Sequence, residues 1–124
     1  MIFNSLIKTK DQLTTALTVL ENTGFRCVPV LDKTGTIFRG NIYKMHIYRH
    51  KSRHGDMDLP VTSLLKNSTK FISIKAAFFN IFFTIRDLPY IAVLDEDNHF
   101  YGILTHRRVL RMLAEAWNIN AGSY

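Results

Sequence analysis

Thr105, His106, Arg107 and Arg108 stand together immediately after the apolar run FYGIL, residues 100–104. A hydroxyl, an imidazole and two guanidiniums opening a helix are the parts of an anion site. Threonine caps the first turn, the free N–H groups there favour negative charge, and arginine grips phosphate through charge-assisted hydrogen bonds. Position alone also suits a solvated surface, the commonest place for arginine. What surrounds these residues has to decide.

The other reactive side chains make weaker cases. His46, His50 and His54 are four apart, which would line one helical face, but Gly55 signals that the helix is ending. No carboxylate or thiol completes a ligand set, and Arg49, Lys51 and Arg53 would repel a cation, so no metal is expected. Cys27 lies in the run CVPV without a nucleophile's partner and reads as a small buried residue. The acids fall mostly in turns such as DEDN, and Asp56 and Asp58 flank Met57 in a Gly/Pro loop. No Ser/His/acid or Cys/His set can be assembled, so no catalytic residue is assigned and the chain is read as a non-enzyme without a cofactor.

The chain has 124 residues, 47% apolar and 21% charged, the proportions of a globular domain with a real core. Sixteen Lys+Arg against ten Asp+Glu give +6, which favours an anionic partner without naming it. The basic residues fall into two groups, Arg39 to Arg53 and Arg107 to Arg111; within the second, Arg111 is spaced to pair with Glu115. One cysteine excludes an internal disulfide and fits a reduced, cytoplasmic setting. MIFNSLIKTK does not read as a secretory leader. AAFFNIFFTI, 76–85, is too short to span a bilayer and reads as a core or dimer-interface helix, in which Asn80 needs a partner if buried.

The elements that must position Thr105 and Arg108 occur twice. DQLTTALTVLENTG has helical spacing at Leu13, Ala16, Leu17 and Leu20; FRCVPVLD is a strand, KTGT a turn, IFRGNIY a strand and KMHIYRHKS a helix. KFISI, AAFFNIFFTI, LPYIAVLD, EDNH, FYGIL and HRRVLRMLAEAW repeat the order. Asp95 minus Asp32 gives 63 and Gly102 minus Gly40 gives 62, so the copies differ by one residue in the turn. The expected fold is α/β (α+β), two pseudo-symmetric β-α-β-β-α units packed sheet to sheet: unit one at 1–54, a linker at 55–68 and unit two at 69–120. Such packing creates a cleft between the halves, a usual place for ligands.

LTTALTVLENTGFRCVPVLDKTGTIFRGNIY and LPYIAVLDEDNHFYGILTHRRVL resemble a pair of cystathionine-β-synthase (CBS) motifs, the tandem called a Bateman module. The resemblance covers nearly the whole chain and implies regulatory binding of an adenosine-containing nucleotide by a homodimer. It implies a pocket combining the Gly-h-h-Thr/Ser-x-x-Asp segment of one motif with the first strand and pre-PV residues of the other. Carried over, one pocket uses Thr105 and Arg108 facing Ser5, Leu6, Phe25, Arg26 and Cys27. A second would use Tyr43 and His46 facing Ile72, Ser73, Pro89, Tyr90 and Ile91.

The sequence departs from that pattern where the family has a ribose-binding Asp, because His46 and Arg108 stand there; Tyr43 replaces the usual Thr/Ser and puts the second pocket in question. A carboxylate suits the free diol of AMP or ATP, since it accepts two hydroxyl hydrogen bonds. A 3′,5′-cyclic dinucleotide has no such diol and carries two phosphodiester charges, which arginine fits better. Arg107 and Arg108 with Arg26 would complete a cationic rim, and Phe25 offers a face to an adenine ring. TGFRCVPVLD and GILTHRRVL are also similar to the cyclic-di-AMP receptors among Gram-positive CBS-pair proteins, whose GI-x-T-R-R element touches phosphate; His106 stands where the first arginine of that element would be. Some relatives carry an additional ACT domain after the pair. The expected ligand is therefore cyclic-di-AMP, with AMP or ATP as the alternative, acting on an unidentified regulated protein. A nucleic-acid-associated role for the basic segment 39–54 ranks behind, since no RNA-binding signature accompanies it.

Overall fold

The computed structural model describes residues 7–121, with side chains to 118. Four helices and two three-stranded sheets make a mixed α/β fold. The first half runs β1 (Ile7–Lys8), α1 (Leu13–Thr23), β2 (Cys27–Leu31), β3 (Phe38–Tyr43) and α2 (Lys44–Ser52). After a 3₁₀ turn at Val61–Leu64, the second half runs β4 (Phe71–Ser73), α3 (Phe78–Ile85), β5 (Tyr90–Leu94), β6 (Phe100–Thr105) and α4 (His106–Ala121).

The two sheets repeat each other in detail. In each the central strand pairs parallel with the first and antiparallel with the third. Cys27 pairs with Tyr43 and Tyr90 with Thr105; Val30 pairs with Gly40 and Val93 with Gly102. Both central strands carry a register irregularity at the same place, between Val30 and Leu31 and between Val93 and Leu94. The aspartates that follow do equivalent work. Asp32 Oδ1 accepts the N–H groups of Thr36 and Ile37, and Asp95 Oδ1 those of Asp97 and His99, so each closes its hairpin turn.

Apolar side chains join the sheets. Leu31 and Phe38 of the first half cluster with Ala92, Leu94 and Phe100 of the second. Phe38 and Phe100, which occupy equivalent positions, stack with ring centroids 6.3 Å apart. The Phe100 N–H donates across the seam to the Thr36 carbonyl at 2.6 Å.

The helices fill the outer faces unequally. On α1, Leu13, Ala16, Leu17 and Leu20 follow the i, i+3, i+4, i+7 spacing and are all buried. Gly24 at φ 76 terminates it, its N–H returning to the Leu20 carbonyl. Gln12 supplies no side-chain cap; the first N–H groups of α1 donate instead to Leu59 and Met57 carbonyls. The 55–68 segment thus packs on the first half, with Val61 fully buried in its core. Gly40, at φ 138, permits this, since a Cβ there would lie 2.8 Å from the Lys66 carbonyl oxygen.

On α3 only Ile81 and Ile85 are buried. The run read as a core or dimer-interface helix is therefore half core: Phe79 and Phe83, four apart, share a face that the buried Ile81 and Ile85 do not, and both are exposed, as is Phe78. Asn80 is exposed and needs no buried partner. The expected Arg111–Glu115 pair does not form; among the described residues the ion pairs are Lys75–Glu96 at 2.9 Å and Arg86–Asp87 at 3.7 Å. No helix of the described residues is long and apolar enough to cross a membrane.

Candidate ligand-binding site

Thr105 ends β6 and α4 begins at the next residue. Its Oγ1 accepts the Arg108 N–H at 3.2 Å, so the expected cap exists and sets Arg108 in the first helical turn. Arg107 and Arg108 are exposed. His106 turns away from them: its Nε2 meets the Leu88 carbonyl, and its ring lines a cavity between α3 and α4 with Phe79, Phe82 and Leu110.

The first-half residues expected to face them come together only in part, and in a cavity that Thr105, Arg107 and Arg108 do not line. Cys27 is buried; Arg26 and Phe25 are exposed just before β2. Arg26 and Cys27 line a cavity of about 540 Å³ with Tyr43, Lys44, Tyr48 and Pro89. Ser5 and Leu6 lie outside the described residues.

Tyr90 links the two sets. Its backbone pairs with Thr105, and its hydroxyl accepts the Cys27 thiol at 3.7 Å. The same hydroxyl donates to Asn41 Oδ1. Asn41 Nδ2 donates in turn to Asn67 Oδ1 at 3.2 Å, which also accepts the Tyr43 hydroxyl at 2.7 Å. Burial pushes the Cys27 thiol up to about 11, against its hydrogen bonding with Tyr90 and Tyr43, which lowers it. Burial likewise pushes Tyr43 up to about 12 and raises Tyr90, the Cys27 neighbour adding to both. All three stay protonated at neutral pH, which suits a neutral hydrogen-bonded chain rather than a nucleophile.

Residues assigned to the second pocket are distributed over several places. Tyr43 and Tyr90 belong to the chain just described. His46 packs on Tyr43, ring centroids 5.0 Å apart, and lines a cavity with Arg49, His50 and Lys66. Ile72 and Ser73 line a different cavity beside Tyr101, Gly102 and Leu104. Pro89 is exposed and Ile91 fully buried. The three histidines do not share a face, because His54 lies past the end of α2 at φ 59 and the His50 Nε2 meets the Asp56 carbonyl at 2.9 Å. Asp95, Asp97 and His99 could bring ligand atoms within 4.8 Å of one another, but Asp95 is already engaged in closing its turn.

Asn41 escaped the sequence reading. It is 1% exposed in β3, and the repeat offered a signal, since the second copy has Ile103 there.

This architecture, two β-α-β-β-α units joined through their sheets, is that of a CBS domain pair. No family model matches the sequence, and neither does any curated protein. Among solved structures, Listeria monocytogenes CbpB in complex with c-di-AMP is similar at 27% identity and TM-score 0.74, over 91% of this chain and 88% of that one. CbpB from Streptococcus agalactiae is similar at 20% identity and TM-score 0.79, over 96% and 78%. A CBS domain pair/ACT domain protein of Thermotoga maritima is similar at 19% identity and TM-score 0.75, over 90% and 88%.

Proposed function

We propose that this chain is a non-catalytic, cytoplasmic ligand sensor that binds cyclic-di-AMP beside the start of α4 and thereby biases a partner protein. The observation that carries the reading is the Thr105–Arg108 cap. It fixes the Arg108 backbone in the first turn of a 16-residue helix, so that its guanidinium extends from an end where backbone N–H groups and the helix dipole add to the attraction for phosphate. The two phosphodiesters of a cyclic dinucleotide would meet Arg108 and Arg107 on one side and Arg26 on the other, with Phe25 against a base. The likeness to CbpB solved with c-di-AMP supports the choice of ligand. AMP or ATP is the second reading, weakened because no carboxylate stands where their ribose diol would need one.

A homodimer belongs to the proposal. Phe79 and Phe83 of α3 and Leu110 of α4 are exposed at the apolar cavity between these helices, about 570 Å³, Trp117 is exposed further along α4, and a second copy would cover them. Ligand binding then acts by favouring one arrangement of the dimer or of its complex with the regulated protein.

Calorimetry with cyclic-di-AMP, AMP and ATP tests the ligand. Cyclic-di-AMP should bind at least tenfold more tightly than AMP, and Arg108→Ala should remove that advantage. Equal affinities, or an Arg108→Ala variant that binds like wild type, would overturn the assignment.

A further inference from the structure

Thr105 sits on the last rung of the second sheet's ladder, with Tyr90 opposite. Terminal rungs fray first unless something beyond the strand pair holds them. In the first half the equivalent rung, Cys27–Tyr43, is followed by one more backbone bond, from the Lys44 N–H to the Arg26 carbonyl at 2.9 Å. Among the described residues no such bond joins His106 to Pro89. The His106 ring is tied to the Leu88 carbonyl, within its own half. What reaches this rung from the opposite half is the polar chain that starts at the Tyr90 hydroxyl.

That chain is anchored at its far end. Asn41, which accepts the Tyr90 hydroxyl, is buried and exchanges backbone hydrogen bonds with Lys66 at 2.7 and 2.9 Å. Its Nδ2 donates to Asn67 Oδ1, which the Tyr43 hydroxyl also reaches. Asn67 stands at φ 59, a conformation that asparagine tolerates better than most residues. Each side chain is thus fixed by the next, and a buried polar network with its partners in place stiffens what it touches. Ile103 stands where the second half would need its own Asn41. The bracing therefore runs one way, from the first half and the 55–68 segment to the second-half rung.

We infer that Asn41 and Asn67 are positioning residues of the Thr105–Arg108 site, acting through the Tyr90 hydroxyl. By holding the final rung of β5 and β6 they fix where α4 begins, and with it the turn in which Thr105 Oγ1 accepts the Arg108 N–H. A site held in its binding geometry loses less freedom when an anion arrives, so affinity rises without any contact to the ligand. The inference rests on the dinucleotide reading for its ligand, though not for the bracing. Linkage makes the effect reciprocal: a ligand at Arg108 steadies Asn41 and Asn67 by the factor that they add to its affinity.

Two variants of the whole chain test this. Asn41→Ile with Tyr90→Phe cuts the chain by removing both partners, a change close to neutral for stability. Asn67→Gly keeps the backbone conformation and removes only the side chain. Hydrogen exchange without ligand reads the bracing at the Arg108 amide, which opens locally at a helix start and is insensitive to global stability. Both variants should speed that exchange at least tenfold. Leu17→Ala, which hollows the first-half core on α1, should leave it as in wild type. In calorimetry cyclic-di-AMP should bind both variants severalfold more weakly, although the double variant melts close to wild type. Arg108 exchange that neither variant changes, or that Leu17→Ala changes equally, would overturn the inference. So would wild-type affinity for cyclic-di-AMP in both variants. Faster exchange in the variants of a chain whose wild type ignores cyclic-di-AMP would support the bracing and count against the dinucleotide reading alone.

Discussion

Cys27 and Tyr90 occupy equivalent positions in the two halves, and the thiol donates to the phenol across the seam at 3.7 Å. With Phe38 stacked on Phe100, this contact marks the pseudo-twofold axis. The symmetry breaks one bond further on. Tyr90 donates to Asn41, whose counterpart is Ile103, so only the first half carries the polar chain onward to Asn67 and Tyr43.

Tyr90→Phe should therefore strand a buried acceptor on Asn41. Leaving such a group unsatisfied costs about 1–3 kcal/mol, whereas removing both partners is close to neutral. Urea unfolding should show Tyr90→Phe destabilised by that amount, and Asn41→Ile combined with Tyr90→Phe should recover most of it. Additive losses in the double variant would contradict the coupling.

Thr105→Val keeps the shape of the side chain and removes its cap. Loss of an N-cap costs about 1 kcal/mol, so the melting temperature should fall by a few degrees. Cyclic-di-AMP affinity should fall as well, because the cap fixes the turn that bears Arg108. Thr105→Ser, which keeps the hydroxyl, should behave like wild type in both measurements.

The thiol gives a pH signature. In the unfolded chain Cys27 ionises near its ordinary value of 9.0, while the folded thiol ionises near 11. Its contribution to stability is fully present below 9 and is lost as pH rises towards 11. At 1.36 kcal/mol per unit this is on the order of 2 kcal/mol. Tyr43, raised from 10.0 to about 12 but partly exposed and so screened by solvent, adds a smaller loss at higher pH. Denaturation series from pH 7 to 11 should show a steeper decline for wild type than for Cys27→Ala. A thiol reagent at pH 8 should label the folded protein far more slowly than the chain in urea.

Phe79 and Trp117 are 69% and 72% exposed, more than isolated surface aromatics require. Phe79→Glu with Trp117→Glu should convert a dimer into a monomer in sedimentation equilibrium while leaving the far-ultraviolet circular dichroism unchanged. A wild-type chain that sediments as a monomer at high micromolar concentration would remove the dimer from the account.

Much of the fold was legible because the pattern was stated twice. The VLD pairs, the glycines at 40 and 102 and the apolar spacing of α1 locate the strands and helices with little ambiguity, and both hairpins form in matching register. Thr105 was readable as a cap because the strand before it and the helix after it were both plain. Other features depend on tertiary context that periodicity does not carry. Apolar content alone could not say which face of α3 would be left exposed. Nor could it show that Met57 and Leu59 would cap α1, since those caps are backbone carbonyls and leave no trace in side-chain type. Asn41 is a single polar residue in a strand, and its partners lie 26 and 49 positions away.

The most direct test is a crystal structure of the chain grown with cyclic-di-AMP. One phosphodiester should lie within hydrogen-bonding distance of the Arg108 guanidinium and the first-turn N–H groups of α4, with Arg26 facing the other phosphate. Cyclic-di-AMP seated elsewhere, with Arg108 and Arg26 both out of reach of its phosphates, would contradict the account.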